Sequence, residues 1–251
     1  MAAKRALVTG AGTGIGRATT ALLLARGFEV VAVGRTAEPL EQLVRDMGDH
    51  GRQVKPLALD VRAGSSLVEA LANVGPLDAL VANAGVCKQS RIDDPDADSI
   101  WTELISINLD GVWRTFRAAV PQLKPNGRAV VVSSGLGKLG RAGYSAYTAS
   151  KHGVIGLAKC LSKELAPQGI TVNAVCPGWV DTEMAKRDLV RTAEEEGATF
   201  DQVKKTVLEG IPLGRFVETE EVAKLICWLI SEDAAAITGE AYNISCGEFF
   251  A

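Results

Sequence analysis

Histidine is nearly missing from this chain, with only His50 and His152 among 251 residues. Its five cysteines (Cys87, Cys160, Cys176, Cys227 and Cys246) are an odd number without a C-x-x-C pair, so neither a zinc cluster nor a disulfide framework is expected. The thiols are read as reduced and partly buried. No basic run extends beyond the pairs Lys4-Arg5 and Lys204-Lys205, and the net charge is −3, which leaves no electrostatic footprint for nucleic acid. A run of about eighteen consecutive apolar residues, the minimum for a membrane span, is also lacking. The first residues enter a strand-like pattern without an apolar signal core, so the chain is read as cytoplasmic rather than membrane-bound or secreted. Internal repeats, low-complexity stretches and Pro/Gly/Ser linkers are absent too, and the whole span 1–251 is expected to be a single domain.

What the sequence does contain is an alternation of short apolar runs and amphipathic segments. Strands are predicted at Arg5 to Val8, Glu29 to Val33, Val54 to Leu59, Leu77 to Val81, Arg128 to Ser133, Thr171 to Cys176 and Ala241 to Ile244. Helical spacing covers Ile15 to Arg26, Pro39 to Gly48, Ser65 to Val74, Trp101 to Val120, Ala146 to Leu165 and Thr219 to Ile230. That order predicts an α/β fold, a doubly wound parallel sheet of about seven strands with helices on both faces. The segment at about 180–211 interrupts the alternation, being charged and helix-prone, and is expected to form a lid over a site.

Two features carry chemistry. After the first strand comes Thr9-Gly10-Ala11-Gly12-Thr13-Gly14-Ile15-Gly16, directly before a helix. Glycines there let the backbone turn tightly, approach a pyrophosphate and present free helix N-H groups to it. Glycines 10, 14 and 16 follow T-G-x-x-x-G-x-G rather than G-x-G-x-x-G. The second strand ends Val33-Gly34-Arg35. A carboxylate there would repel a 2′-phosphate, whereas glycine followed by Arg35 leaves room and supplies a planar cation, which favours NADP over NAD. The second feature is Tyr147 and Lys151, one helical turn apart on the same face. A cation so placed is expected to lower the phenol's pKa toward neutrality and make it a usable proton donor. Read alone, that pair is better taken as an exposed helical pair, Asp60 as a helix cap and Asn83 as a turn former.

Together the motifs make the chain resemble the short-chain dehydrogenase/reductase family over essentially its whole length. Beside the glycine turn and Y-x-x-x-K stand Leu59-Asp60-Val61, Asn83-Ala84-Gly85, Asn108-Leu109-Asp110-Gly111, Ser133-Ser134 and Asn173-Ala174-Val175-Cys176-Pro177-Gly178, in family order. The resemblance implies a Rossmann fold binding the dinucleotide through Gly10, Thr13, Gly14, Ile15, Gly16 and Arg35. It implies that Asp60 and Val61 meet the adenine, that Asn83, Ala84 and Gly85 pass along the ribose, and that Pro177, Gly178, Val180 and Thr182 flank the nicotinamide. Lys151 would also bind the nicotinamide ribose, and Asn108 would anchor, through its helix backbone, a water leading from Lys151 to solvent.

Hydride transfer to a carbonyl builds negative charge on oxygen, which needs donors and a proton. Ser134 Oγ and Tyr147 Oη are the expected donors, with Tyr147 the general acid in reduction and base in oxidation; Ser133 competes for the Ser134 role. The segments after Gly169, Ile211 and Ala234 are similar to ketoreductases of aromatic polyketide synthesis and to 3-oxoacyl reductases. The expected substrate is therefore a 3-oxoacyl, polyketide-like or cyclic ketone, possible carrier linkage being met by Arg141 or Lys186. Leu136, Leu139, Tyr144, Trp179 and Met184 are candidates for its pocket. The resemblance further implies a homotetramer packed through the Trp101 and Ala146 helices, with Phe249-Phe250 a candidate to cross into a neighbouring subunit. Two rival readings stand beside this one: an NAD-linked catabolic dehydrogenase, and a dinucleotide-sensing protein without turnover.

Overall fold

The computed structural model of the protein describes residues 3–250; Met1, Ala2 and Ala251, the outermost residues of the expected domain span, lie outside the described residues. Seven strands, β1 (Arg5–Thr9), β2 (Glu29–Gly34), β3 (Val54–Ala58), β4 (Leu77–Ala82), β5 (Leu123–Val132), β6 (Thr171–Pro177) and β7 (Ala241–Ile244), make one sheet in the order β3-β2-β1-β4-β5-β6-β7. Every neighbouring pair is parallel. Parallel strands buried on both faces read as continuous apolar runs, which is why β1, β2 and β6 are conspicuous in the sequence. The edge strand β3 differs: Lys55 and Pro56 are exposed, and a proline that cannot donate is tolerated there because β3 pairs only with β2.

Nine α-helices are found among the described residues: α1 (Gly14–Ala25), α2 (Ala37–Asp46), α3 (Ser65–Ala72), α4 (Ala97–Asn108), α5 (Asp110–Ala119), α6 (Ser145–Leu165), α7 (Glu183–Glu196), α8 (Phe200–Glu209) and α9 (Thr219–Leu229). Alternate strand residues divide between two cores. Leu7, Val31, Val33 and Leu80 face one, with Leu67 and Leu71 of α3, Phe116 of α5 and Val154 and Leu161 of α6. Ala6, Val8, Val30 and Val81 face the other, with Leu23 of α1, Leu43 of α2 and Ile226 of α9. The sheet is thus covered on both faces, as the alternation predicts. At about 2 kcal/mol for each fully buried leucine, these layers fix the strand ends from which the site is built.

Three stretches depart from the sequence reading. The single helix predicted from Trp101 to Val120 is two helices, broken at Leu109 (φ −109°, ψ −60°). Its apolar spacing runs unbroken through Leu104, Ile107, Val112 and Phe116, so periodicity conceals the break. Strand β5 begins at Leu123, five residues earlier than expected, because Leu123 pairs with Leu77 before a register shift; Pro125-Asn126-Gly127, with Asn126 at φ 62°, is an irregularity inside the strand rather than its start. Residues 180–211 hold α7 and α8, separated at Gly197 (φ 63°), with a Thr199/Gln202 capping box opening α8. These helices carry their own apolar cluster of Leu189, Ala193 and Val203, against which Trp179, Phe200 and Phe216 pack. No helix among the described residues is long and apolar enough to cross a membrane.

Candidate active site

In an open parallel sheet the loops at the carboxyl ends of the strands form the ligand crevice, at the point where strand order reverses. Here that point lies between β1 and β4. Thr9, at the end of β1, is buried, and its Oγ accepts hydrogen bonds from the Asn83 and Ala84 backbone amides, both at 3.0 Å. Asn83 Nδ2 donates back to the Thr9 carbonyl at 2.9 Å, tying the two strand ends together. Gly10 turns the chain with φ +66°, and a Cβ on Gly16 would lie 2.1 Å from the Gly10 carbonyl oxygen. No side chain could occupy that position without moving backbone. Gly14 (φ +48°) opens α1, and a Cβ there would meet Thr182 Cγ2 at 3.4 Å, so the β6–α7 loop faces the turn. Thr13 gives α1 no side-chain cap and its first turn holds no acid, leaving the helix's positive end to an anion. Ile15 anchors the turn to the apolar layer behind it.

At the end of β2, Arg35 is exposed and lies within electrostatic reach of Asp60. Asp60 accepts from Arg62 at 2.7 Å through Nη2 and also binds the Arg62 amide at 2.8 Å. Hydrogen bonding from Arg62 holds this carboxyl below the ordinary carboxylate range, against partial burial, with Arg35 adding to the pull. The sequence reading placed Asp60 on adenine and passed over Arg62; an i, i+2 pair in a loop has no spacing signature. The neighbouring Val61 is buried, its Cγ2 2.6 Å from where a Gly111 Cβ would be.

Ser134 follows β5 and caps a short turn, its Oγ accepting from Leu136 N at 3.2 Å. Tyr147 sits in the first turn of α6, its phenol within electrostatic reach of the Ser134 side chain. Lys151, one turn on, is buried; its Nζ donates to the Val132 carbonyl at 2.9 Å and lies 5.7 Å from the Tyr147 ring centroid. Asn108 is fully buried at the helix break. Its amide accepts from Val86 N and donates to Val86 O, both at 2.9 Å, and reaches Ser150 Oγ at 3.2 Å, while Ser150 donates to the Tyr147 carbonyl. A Cβ on Gly85 would sit 3.3 Å from both Asn108 Oδ1 and Lys151 Nζ. All four predicted catalytic residues are therefore gathered at one place. Ser133, the competing serine, donates at 2.9 Å to the Lys151 carbonyl. His152 turns outward to Thr148 O.

One electrostatic expectation is reversed. Burial pushes the Tyr147 phenol above the ordinary tyrosine range, with the neighbouring Cys87 adding to the rise and the Ser134 side chain opposing it. Lys151 is pushed down to about 8, chiefly by burial. Placing a cation one turn away fixes a direction only in a well-solvated setting; here the cost of desolvating either charge outweighs it.

Of the expected pocket residues, Tyr144 and Trp179 are brought together by Arg141, whose guanidinium carbon lies 5.1 Å from the Tyr144 ring centre and 5.5 Å from that of Trp179. Trp179 stacks on Phe216 at 5.9 Å. Leu136 adjoins Ser134, Met184 is half-buried in the first turn of α7, and Leu139 is exposed. Val180 bridges Val217, and Thr182 caps α7 through Ala185 N. Pro177 ends β6, and a Cβ on Gly178 would strike Glu248 Oε2, which accepts from Trp179 N at 3.2 Å. Burial raises the Glu248 carboxyl. Phe249 packs within its own chain, its ring 2.5 Å from where a Gly135 Cβ would be, while Phe250 is exposed. The sequence reading missed Gln89 and Asp188. Tyr144 Oη donates to Asp188 Oδ2 at 2.7 Å and also contacts Gln89 Nε2. Among the described residues no cluster of His, Cys, Asp and Glu has metal-binding geometry.

A glycine-turned crevice for a dinucleotide, beside a hydroxyl pair over a buried ammonium, defines a nicotinamide-linked oxidoreductase. The chain belongs to the short chain dehydrogenase family, which it matches over residues 4–192, and is an enzyme acting on CH-OH groups. It is 41% identical over 254 residues to a protein described as a ketoacyl reductase of the monensin polyketide synthase of Streptomyces virginiae, covering 96% of this chain and 95% of that one. It is 36% identical to the 3-oxoacyl-[acyl-carrier-protein] reductase FabG of Thermotoga maritima, covering 97% of each. Among solved structures, a point variant of actinorhodin polyketide ketoreductase with NADPH superposes with a TM-score of 0.92 at 34% identity, covering 98% of this chain and 97% of the other. Levodione reductase gives 0.90 at 26% identity, with the same coverage.

Proposed function

We propose that the protein is an NADP-dependent ketone reductase acting on a 3-oxoacyl, polyketide-like or cyclic ketone, in which Tyr147 delivers the proton. The observation that carries this reading is the Tyr147 ring 5.7 Å from the buried Lys151 Nζ, with the Ser134 side chain close enough to act on the phenol. The cradle formed by Gly10, Gly14 and Gly16 fits a pyrophosphate, because the positions nearest it admit no side chain. Gly34, Arg35 and the neighbouring Arg62 suit a 2′-phosphate. Pro177, Gly178, Val180 and Thr182 would lie along the nicotinamide end. When bound, the reduced coenzyme supplies the hydride.

The chain's own residues do the rest. As charge grows on the carbonyl oxygen, Ser134 Oγ and Tyr147 Oη donate to it, and Tyr147 gives up its proton. A phenol that burial keeps protonated is suited to the reductive direction. Lys151 returns a proton toward Tyr147, and its pKa near 8 lets it exchange one near neutrality. Asn108 holds the helix break and the Val86 backbone in place beside it. Residues 180–211 act as the lid of a single domain. The half-exposed Trp101 and Trp113 on α4 and α5 support a homotetramer of a cytosolic enzyme.

The test is Tyr147→Phe. Wild type should consume NADPH with a 3-oxoacyl thioester or a cyclic ketone, and the variant should lose about a thousandfold in kcat while binding NADPH within about twofold by tryptophan fluorescence. Normal turnover by the variant sinks the assignment of Tyr147. A protein that binds NADPH but turns over no ketone would leave the sensing reading, and faster turnover with NADH the NAD-linked one.

A further inference from the structure

Gln89, Tyr144 and Asp188 come from three separate segments and meet in one buried polar cluster. Tyr144 Oη donates to Asp188 Oδ2 at 2.7 Å, and Gln89 Nε2 contacts the Tyr144 hydroxyl, Asp188 Oδ1 at 3.2 Å and Thr192 Oγ1 at 3.1 Å. Thr192 gives its own hydrogen to the Asp188 carbonyl, which leaves its lone pairs for Gln89. Tyr144 and Gln89 are nine-tenths buried or more. Two sides of the cluster are set by backbone: Ser90 bridges Tyr144, and Ser90 N donates to the Gly143 carbonyl at 2.8 Å. The third side, α7, is joined to them here by side chains. Since α7 and α8 carry an apolar cluster of their own outside both sheet cores, this polar contact fastens them across the site.

The cluster stands at the reaction centre. Tyr144 is three residues before Tyr147, and the Asp188 charge is felt at both the Tyr147 phenol and the Cys87 thiol. Arg141, between the Tyr144 and Trp179 rings, closes the outer side. We propose that Gln89, Tyr144 and Asp188 form a latch that holds α7 down over the Ser134–Tyr147 pair and thereby sets substrate size, favouring compact ketones over oxoacyl chains on a long arm. This rests on the ketone-reductase reading above. The three are positioning residues: both oxygens of the Asp188 carboxylate are occupied by the latch itself, and on this proposal an extended chain would enter where these bonds join α7 to Gln89.

The experiment compares wild type with Tyr144→Phe and, as a second and milder cut, Gln89→Met. Backbone hydrogen exchange of α7 is measured without coenzyme or substrate, and kcat/KM is measured for a cyclic ketone and for a 3-oxoacyl N-acetylcysteamine thioester. Loss of a hydrogen bond to the half-buried Asp188 carboxylate should raise α7 exchange about tenfold relative to the sheet strands. The thioester-to-ketone ratio of kcat/KM should rise by a similar factor, in both variants. A merely structural role would lower both substrates together and leave that ratio where it was. Unchanged α7 exchange overturns the latch; faster exchange with an unmoved or falling ratio overturns its control of size. If neither substrate is turned over by any of the proteins, the ketone-reductase reading fails, while the exchange data still decide whether α7 is latched.

Discussion

The two ends of the site are made of different materials. At the coenzyme end the walls are backbone: Gly10, Gly14 and Gly16 are placed where a Cβ would meet a carbonyl, an amide or the opposite loop, and Thr9 sews β1 to β4. At the far end the walls are side chains from distant segments, with Gln89, Tyr144 and Asp188 meeting across 99 residues of sequence and Arg141 wedged between two rings. A backbone wall tolerates no substitution and serves a ligand that does not vary. A wall of side chains can be rebuilt residue by residue, which is what an enzyme needs when its substrate is the variable part.

That contrast can be broken hardest at the backbone end. Gly16→Ala puts a Cβ 2.1 Å from the Gly10 carbonyl oxygen, and the strain should cost about 3 kcal/mol of stability and abolish NADPH binding together, as read by urea unfolding and fluorescence titration. A stable variant that binds normally would mean the turn is looser than its geometry. Next in size is Gly34→Asp, which places a carboxylate beside Arg35 at the end of β2. It should shift the ratio of kcat/KM for NADPH over NADH by about tenfold toward NADH, and an unmoved ratio would remove Arg35 and Arg62 from phosphate recognition.

An effect that pH switches on and off sharpens the comparison at the point where the two ends meet. Lys151 titrates near 8 when folded and at its ordinary 10.5 when unfolded. Between those values the unfolded chain holds a proton that the native one has released, so this lysine's contribution to stability is full above 10.5 and is lost as pH falls toward 8. The difference in unfolding free energy between wild type and Lys151→Met should therefore slope downward as pH falls across that window and level off below it. A flat difference would show that Lys151 remains an ordinary surface-like ammonium.

How much of this was legible beforehand follows the same division. The glycine turn, the succession of seven strands along the chain and the Tyr147–Lys151 pair were readable because each is local, a spacing or one helical turn, while Asn108 and Ser134 were singled out through the family resemblance. The break at Leu109 was not, because apolar residues keep their period on both sides of it. Neither was the Asp188 latch, since no spacing relates Gln89 to Asp188. The direction in which Tyr147 shifts was misjudged for a third reason. Sequence gives the distance from a phenol to an ammonium but says nothing about how dry the space around them is, and dryness decides the sign.

Ser133 and Ser134 are adjacent, yet one is bound to the Lys151 carbonyl and the other acts on the Tyr147 phenol. Successive residues of an extended chain point to opposite sides, so shifting β5 by a single position hands one of the two duties to a residue that is not serine, either Val132 at the tether to α6 or Gly135 beside the Tyr147 phenol. The serine pair is thus an alignment mark: it ties the strand's phase to that of the helix, and an insertion or deletion in β5 would upset one contact or the other with both serines still in the chain.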